Sequence, residues 1–176
     1  MKNQKYIITG APGTGKTSII NELEKRNYYC VHENARKIIS KQVITEGNIL
    51  TWKNQIEFEK KIANLRVKEY LASPKNLICF FDRSAIDCIA YLKSKNLKLL
   101  PEIINSAKKT SFNNTVFYTP IWEEIYLKDN ERKENLEQAK RIEISIKDIY
   151  KSEGYRLVKV PKLSIKKRAD FILSKI

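Results

Sequence analysis

Gly10-Ala11-Pro12-Gly13-Thr14-Gly15-Lys16-Thr17 fits the pattern G-x-x-x-x-G-K-[ST] at every defined position. Its setting is the one in which that pattern has a physical meaning. The apolar run Tyr6-Ile7-Ile8 leads in as a strand, and a helical pattern beginning at Lys16 leads out. Glycines let the backbone wrap with its N–H groups pointing inward, a nest for phosphate oxygens at the positive end of a helix. Lys16 has the reach for β and γ oxygens, the Thr17 hydroxyl suits Mg²⁺, and Ser18 carries the loop into the helix. Residues 10–18 are therefore expected to hold a nucleoside triphosphate, ATP or GTP, together with Mg²⁺. A Gly-rich turn that merely joins strand to helix is the simpler alternative, and the full pattern in this setting speaks against it.

The rest of the chain alternates strand and helix, which argues for a parallel sheet covered on both faces. Strands are expected near residues 6–8, 29–32, 77–81, 116–118 and 155–160. The continuous apolar run Leu77-Ile78-Cys79-Phe80-Phe81 reads as a strand buried on both sides. Between the strands, Thr51 is a plausible cap for a helix reaching about Leu71, with Phe58, Ile62 and Leu65 on one face. Leu136, Ala139, Ile142, Ile146, Ile149 and Tyr150 mark the clearest amphipathic helix, with Gly154 beyond its end. Ser164 caps the last helix, whose inner face is expected to be Ile165, Ala169, Ile172 and Ile176.

Length and composition bound the answer. At 176 residues, with no repeat, linker or low-complexity tract, one domain over 1–176 is the simplest reading. No apolar run approaches a membrane span, and the N-terminus enters the first strand directly, so a cytoplasmic protein is expected. Three scattered cysteines and a lone histidine, His32, favour buried thiols over disulfides or a zinc site. The net charge of +14 admits a nucleic-acid partner. The lysines are dispersed, however, apart from short clusters such as Lys166-Lys167-Arg168, and no interleaved aromatic platform accompanies them.

Acidic and basic residues fall at the strand ends. Asp82 closes the third strand, where a carboxylate facing Thr17 can hold Mg²⁺. Arg83 follows it and can reach an acceptor or a phosphate, or else orient a neighbouring carboxylate. Glu33 ends the second strand on the same rim. It is a candidate to take a proton from an attacking hydroxyl or to polarise a water, or simply to stabilise the start of the next helix. Arg36, one turn on, is a weaker candidate for an anionic substrate. The charged segment from Tyr126 to Lys133 fits a cover that excludes water, with Arg132 as its leading cation and Lys128 and Arg141 behind it. The candidate catalytic set is thus Lys16, Glu33, Asp82, Arg83 and Arg132, with Glu33, Arg36 and Arg83 on the substrate side and Thr17 and Asp82 at the metal.

These residues resemble the nucleoside and nucleotide kinase branch of the P-loop proteins, in particular the NadR-like family often described as an AAA-type ATPase domain. The likeness rests on residues 10–17, Glu33-Asn34-Ala35-Arg36, Phe81-Asp82-Arg83 with Asp87 and Ala90-Tyr91, residues 120–126, Asp129-x-Glu131-Arg132, and the strand from Gly154 to Pro161. It implies an α/β three-layer fold with a five-stranded parallel sheet in order 2-3-1-4-5, helices on both faces, and a small helical lid near 126–141. It also implies ATP or GTP with Mg²⁺, Glu33 near the acceptor, and Arg132 in the lid. Leu92 stands where thymidylate kinases place glutamine after Ala-Tyr, which argues against thymidylate as substrate. Three functions follow as alternatives: a kinase for a hydroxyl of a small nucleoside-like acceptor, a nucleotide-hydrolysing switch, and a kinase or repair factor for polynucleotide ends.

Overall fold

A computed structural model of the chain describes residues 4–33, 35, 38, 53–125 and 135–176. Five parallel strands form one sheet in the order β2-β3-β1-β4-β5. They are β1 (Lys5–Thr9), β2 (Tyr29–Val31), β3 (Cys79–Asp82), β4 (Thr115–Tyr118) and β5 (Arg156–Lys159). The helices are α1 (Lys16–Lys25), α2 (Gln55–Ala72), α3 (Ala85–Ser94), α4 (Pro101–Lys108), α5 (Leu136–Ser152) and α6 (Ile165–Leu173), with a short 3-10 turn at Glu123–Ile125. The strand order expected from the sequence is the one observed.

Period-two alternation along the central strands divides the core. Ile7, Phe81 and Val116 face α2, α3 and α5, packing with Phe58, Ile62, Ile89, Ile142 and Tyr150. Tyr6, Ile8, Phe80 and Phe117 face the other way, against Ile19, Ile20 and Leu23 of α1 and Ala169 and Ile172 of α6. Phe80 is fully buried and touches Tyr6 and Tyr28 edge-on or tilted, so its truncation to Ala would cost about 3–5 kcal/mol.

Four sequence expectations are corrected, two at helix starts, one on a helix face and one at a strand edge. α2 is capped by Asn54, whose side chain accepts from Glu57 N at 3.2 Å, while Thr51 lies outside the described residues. Ser164 occupies the cap position of α6 but makes no side-chain capping bond. The inner face of α6 is Arg168, Ala169 and Ile172, with Ile165 45% exposed. Leu77, expected inside a buried strand, precedes β3 and is exposed. Ser84, by contrast, builds a full capping box with Asp87 at the start of α3.

Candidate active site

The carboxyl ends of β1, β2, β3 and β4 converge where strand order reverses around β1, the usual place for a ligand in an open α/β sheet. The P-loop leaves β1 there. Gly10 adopts φ 147°, and a Cβ on it would collide with the Thr119 carbonyl, so only glycine fits. Gly15, at φ 79°, opens α1 with no side-chain cap, leaving the first N–H groups of the helix to an incoming anion. Thr14 Oγ1 lies 2.6 Å from Thr119 Oγ1, and Thr119 N donates to Thr9 O at 2.8 Å, which pins the loop to β4.

Lys16 is 6% exposed and folds back on the loop, donating to Ala11 O at 2.7 Å. Burial lowers its pKa to about 7, with the positive charge of Arg83 acting in the same direction. Thr17 Oγ1 donates to Asp82 Oδ2 at 3.3 Å, so hydroxyl and carboxylate meet as the sequence predicts. Asp82 Oδ1 is buried with no hydrogen-bond partner among the described residues. Burial, reinforced by the Glu33 carboxylate, raises the Asp82 pKa. An orphaned, hard oxygen donor beside a threonine hydroxyl is a donor set that fits Mg²⁺.

Arg83 is the connecting residue. Its backbone sits at φ 75°, an uncommon conformation for a non-glycine residue, and its N–H bonds Ile8 O at 3.0 Å. Its Nη1 donates to Gly10 O at 2.9 Å and its Nε to Glu33 Oε2 at 2.5 Å. Arg66 of α2 takes the other Glu33 oxygen, Nη2 to Oε1 at 2.5 Å. Burial alone would raise the Glu33 pKa, but Arg83 and Arg66 outweigh it and hold the carboxyl well below its usual range. Glu33 is therefore a fixed, ionised hydrogen-bond acceptor. Of the two readings of Arg83, these contacts are those of a residue that orients a neighbouring carboxylate.

Behind these residues lies a buried polar network. Asp87 receives Thr9 Oγ1, Tyr150 Oη at 2.7 Å and Ser84 N at 2.9 Å, with Arg83 Nη1 at 3.4 Å. Tyr150 Oη also lies 2.7 Å from Ser84 Oγ. The network joins α5 to the end of β1 and the turn after β3. In front, a cavity is lined by Val31, Ile62, Phe81 and Phe112 together with Arg66, Asp82 and Arg83.

Of the residues expected at the site, Lys16, Thr17, Glu33, Asp82 and Arg83 are brought together. Arg36, Lys128 and Arg132 lie outside the described residues, and Arg141 is exposed on α5. His32 lies just beyond β2 and pairs with Glu24 at 3.0 Å. Cys30, Cys79 and Cys88 are free thiols, two of them buried. Among the described residues no helix is long and apolar enough to cross a membrane. Sequence reasoning missed Arg66, Thr119 and Arg168. Their roles depend on the distant residues they bond: Glu33 for Arg66, Thr14 for Thr119 and Arg168.

Sheet order, phosphate loop and strand-end aspartate define a P-loop protein with a kinase-like fold. The chain belongs to the AAA-domain family, which it matches over residues 5–168. No curated protein sequence matches it. Among solved structures it is similar to deoxyadenosine kinase from M. mycoides with dCMP and dCDP bound, at TM-score 0.72 and 19% identity, covering 97% of each chain. It is also similar to thymidylate kinase from Candida albicans, at TM-score 0.70 and 17% identity over 99% of this chain and 91% of that one. Against NadR protein in complex with NAD and AMP-PNP the TM-score is 0.75 at 17% identity, with 98% of this chain aligned to 49% of that one.

Proposed function

We propose that the protein transfers the γ-phosphoryl group of ATP, or of GTP, to a hydroxyl of a small nucleoside-like acceptor. The observation that carries this reading is the placement of Glu33 and the P-loop on the two arms of one guanidinium, Arg83. A hydrolytic switch needs the same phosphate loop and Asp82, and Glu33 would there polarise a water, so the two readings part on whether an acceptor hydroxyl takes the phosphoryl group in place of water. The kinases that share the fold support the same assignment.

In this account Lys16 leaves the Ala11 carbonyl for the β and γ oxygens, where its charge is more useful. Thr17 and Asp82 would hold Mg²⁺, which when bound neutralises the phosphate oxygens. Glu33 accepts a hydrogen bond from the acceptor hydroxyl and keeps it in line with the phosphorus. A strongly basic group is not required for that task, because in a loose phosphoryl transition state the proton leaves late. Positioning is then most of what Glu33 contributes. Arg83 bears on the transferring group, and the Val31–Phe81 side of the cavity receives the apolar part of the acceptor.

Glu33→Gln tests this. Transfer should be abolished while ATP affinity stays nearly intact, and Glu33→Asp, which keeps the charge, should retain the fold. Equal loss of ATP binding and transfer in the Gln variant would count against an acceptor-side role.

A further inference from the structure

The basic cluster Lys166-Lys167-Arg168 divides in the folded chain. Lys166 and Lys167 are exposed, whereas Arg168 turns inward and is 3% exposed. Its Nη2 donates to Thr14 O at 2.8 Å. A Cβ placed on Gly15 would lie 2.8 Å from its Nη1, so the guanidinium rests directly against the loop at the residue before Lys16. The other arginines at or near the site have carboxylate partners: Arg66 and Arg83 share Glu33, and Arg26 pairs with Asp170. Among the described residues Arg168 has none, and its buried Nε makes no hydrogen bond there. Burial alone lowers its pKa, with no neighbouring acid to oppose it.

A buried cation without a counter-charge is costly to the folded protein. An anion arriving at the P-loop would relieve that cost. We propose that Arg168 is a second cation of the donor site, holding the Thr14–Gly15 peptide from the side of α6 and adding positive charge matched to the polyphosphate of a nucleoside triphosphate. It acts through the loop, so it is a positioning and electrostatic residue. The consequence is that α6, the last helix, is part of the nucleotide site, and nucleotide binding stiffens its contact with α1. The inference rests on a nucleoside triphosphate being the donor.

The test compares Arg168→Lys, which keeps the charge, with Arg168→Gln, which keeps a donor for Thr14 O without it. Dissociation constants for Mg-ATP and for inorganic tripolyphosphate are measured on the full chain beside the ligand-free melting temperature. The account predicts that Arg168→Lys binds both probes within about threefold of wild type, while Arg168→Gln weakens both about tenfold. The Gln defect shrinks as salt screens the charge, and the ligand-free Gln variant melts no lower than the Lys variant, because it no longer buries an unpaired cation. If the Gln variant does not fold, Arg168→Met takes its place with the same expected loss. Wild-type affinity in the uncharged variant overturns the proposal. So does an equal loss in both variants that tracks a lower ligand-free melting temperature, which would mark a structural role only. Failure of the wild-type protein to bind either probe overturns the donor reading itself, and the proposal with it.

Discussion

Arg83 and Glu33 meet at 2.5 Å, and the same guanidinium reaches the Gly10 carbonyl at 2.9 Å. One side chain therefore fixes the distance between the phosphate loop and the Glu33 carboxylate. Its positive φ aims it there, and Asp87 steadies it from behind. Replacing it leaves Glu33 with only Arg66, and removing one partner of a buried pair costs about 3–5 kcal/mol. Arg83→Lys keeps the charge but cannot bond both groups in the same fork. The Lys variant should fold with a lowered melting temperature, and its phosphoryl transfer should fall by about 100-fold or more. Near-normal turnover in Arg83→Lys would show that the bridge is structural.

Tyr150→Phe tests the network behind the bridge. It removes the hydroxyl that bonds Asp87 at 2.7 Å and lies 2.7 Å from Ser84, in a fully buried setting. The expected loss is about 1–3 kcal/mol in denaturant unfolding, because Asp87 is left under-bonded in the core. An unchanged midpoint would mean that water or Ser84 replaces the hydroxyl without cost.

Glu59 gives stability a pH dependence of unusual sign for an acid. It is 3% exposed on α2 and accepts from Gln55 at 2.5 Å, and burial raises its pKa from 4.5 to about 7 despite the opposing charge of Arg66. Between those values the folded chain holds a proton that the unfolded chain has released. Stability from this group is therefore full below pH 4.5, falls as pH rises towards 7, and is level above it. The swing is up to about 3 kcal/mol. Glu59→Gln should melt like wild type near pH 5 and higher than wild type near pH 8. A wild-type-minus-variant difference that stays flat across this range would contradict the buried-acid account.

Gly10→Ala tests the loop geometry. The added methyl would run into the Thr119 carbonyl at a φ that L-residues rarely adopt, and backbone cannot move aside as a flexible side chain can. Nucleotide binding should be lost by at least about 100-fold, with a lowered melting temperature. Wild-type affinity would place Gly10 outside the phosphate nest.

The fold was legible because each local signal agreed with the global one. Alternating apolar residues such as Ile7 and Ile8 must face opposite layers, and glycine at positions 10 and 15 suits positive φ values that L side chains rarely adopt. The donor half of the site was legible for the same reason, since Lys16, Thr17 and Asp82 are fixed by a loop and a strand end. Arg66 and Arg168 were not, because their roles depend on which residues of distant elements lie beside them. Ile165 shows the converse. Periodicity pointed it inward, but as the first residue of α6 it stays exposed, while Ala169 and Ile172 are buried as expected and Arg168 joins them under the P-loop. The identity of the acceptor is likewise a property of the cavity's shape, which no spacing in the chain encodes.

The central claim is that phosphate leaves the P-loop for an organic hydroxyl. Incubating the protein with γ-labelled ATP, Mg²⁺ and a panel of nucleosides, ribosides, mononucleotides and 5′-hydroxyl oligonucleotides tests it most directly. The account predicts a labelled small nucleoside-like product whose formation disappears in Glu33→Gln. Label recovered only as inorganic phosphate, whatever acceptor is supplied, would contradict it.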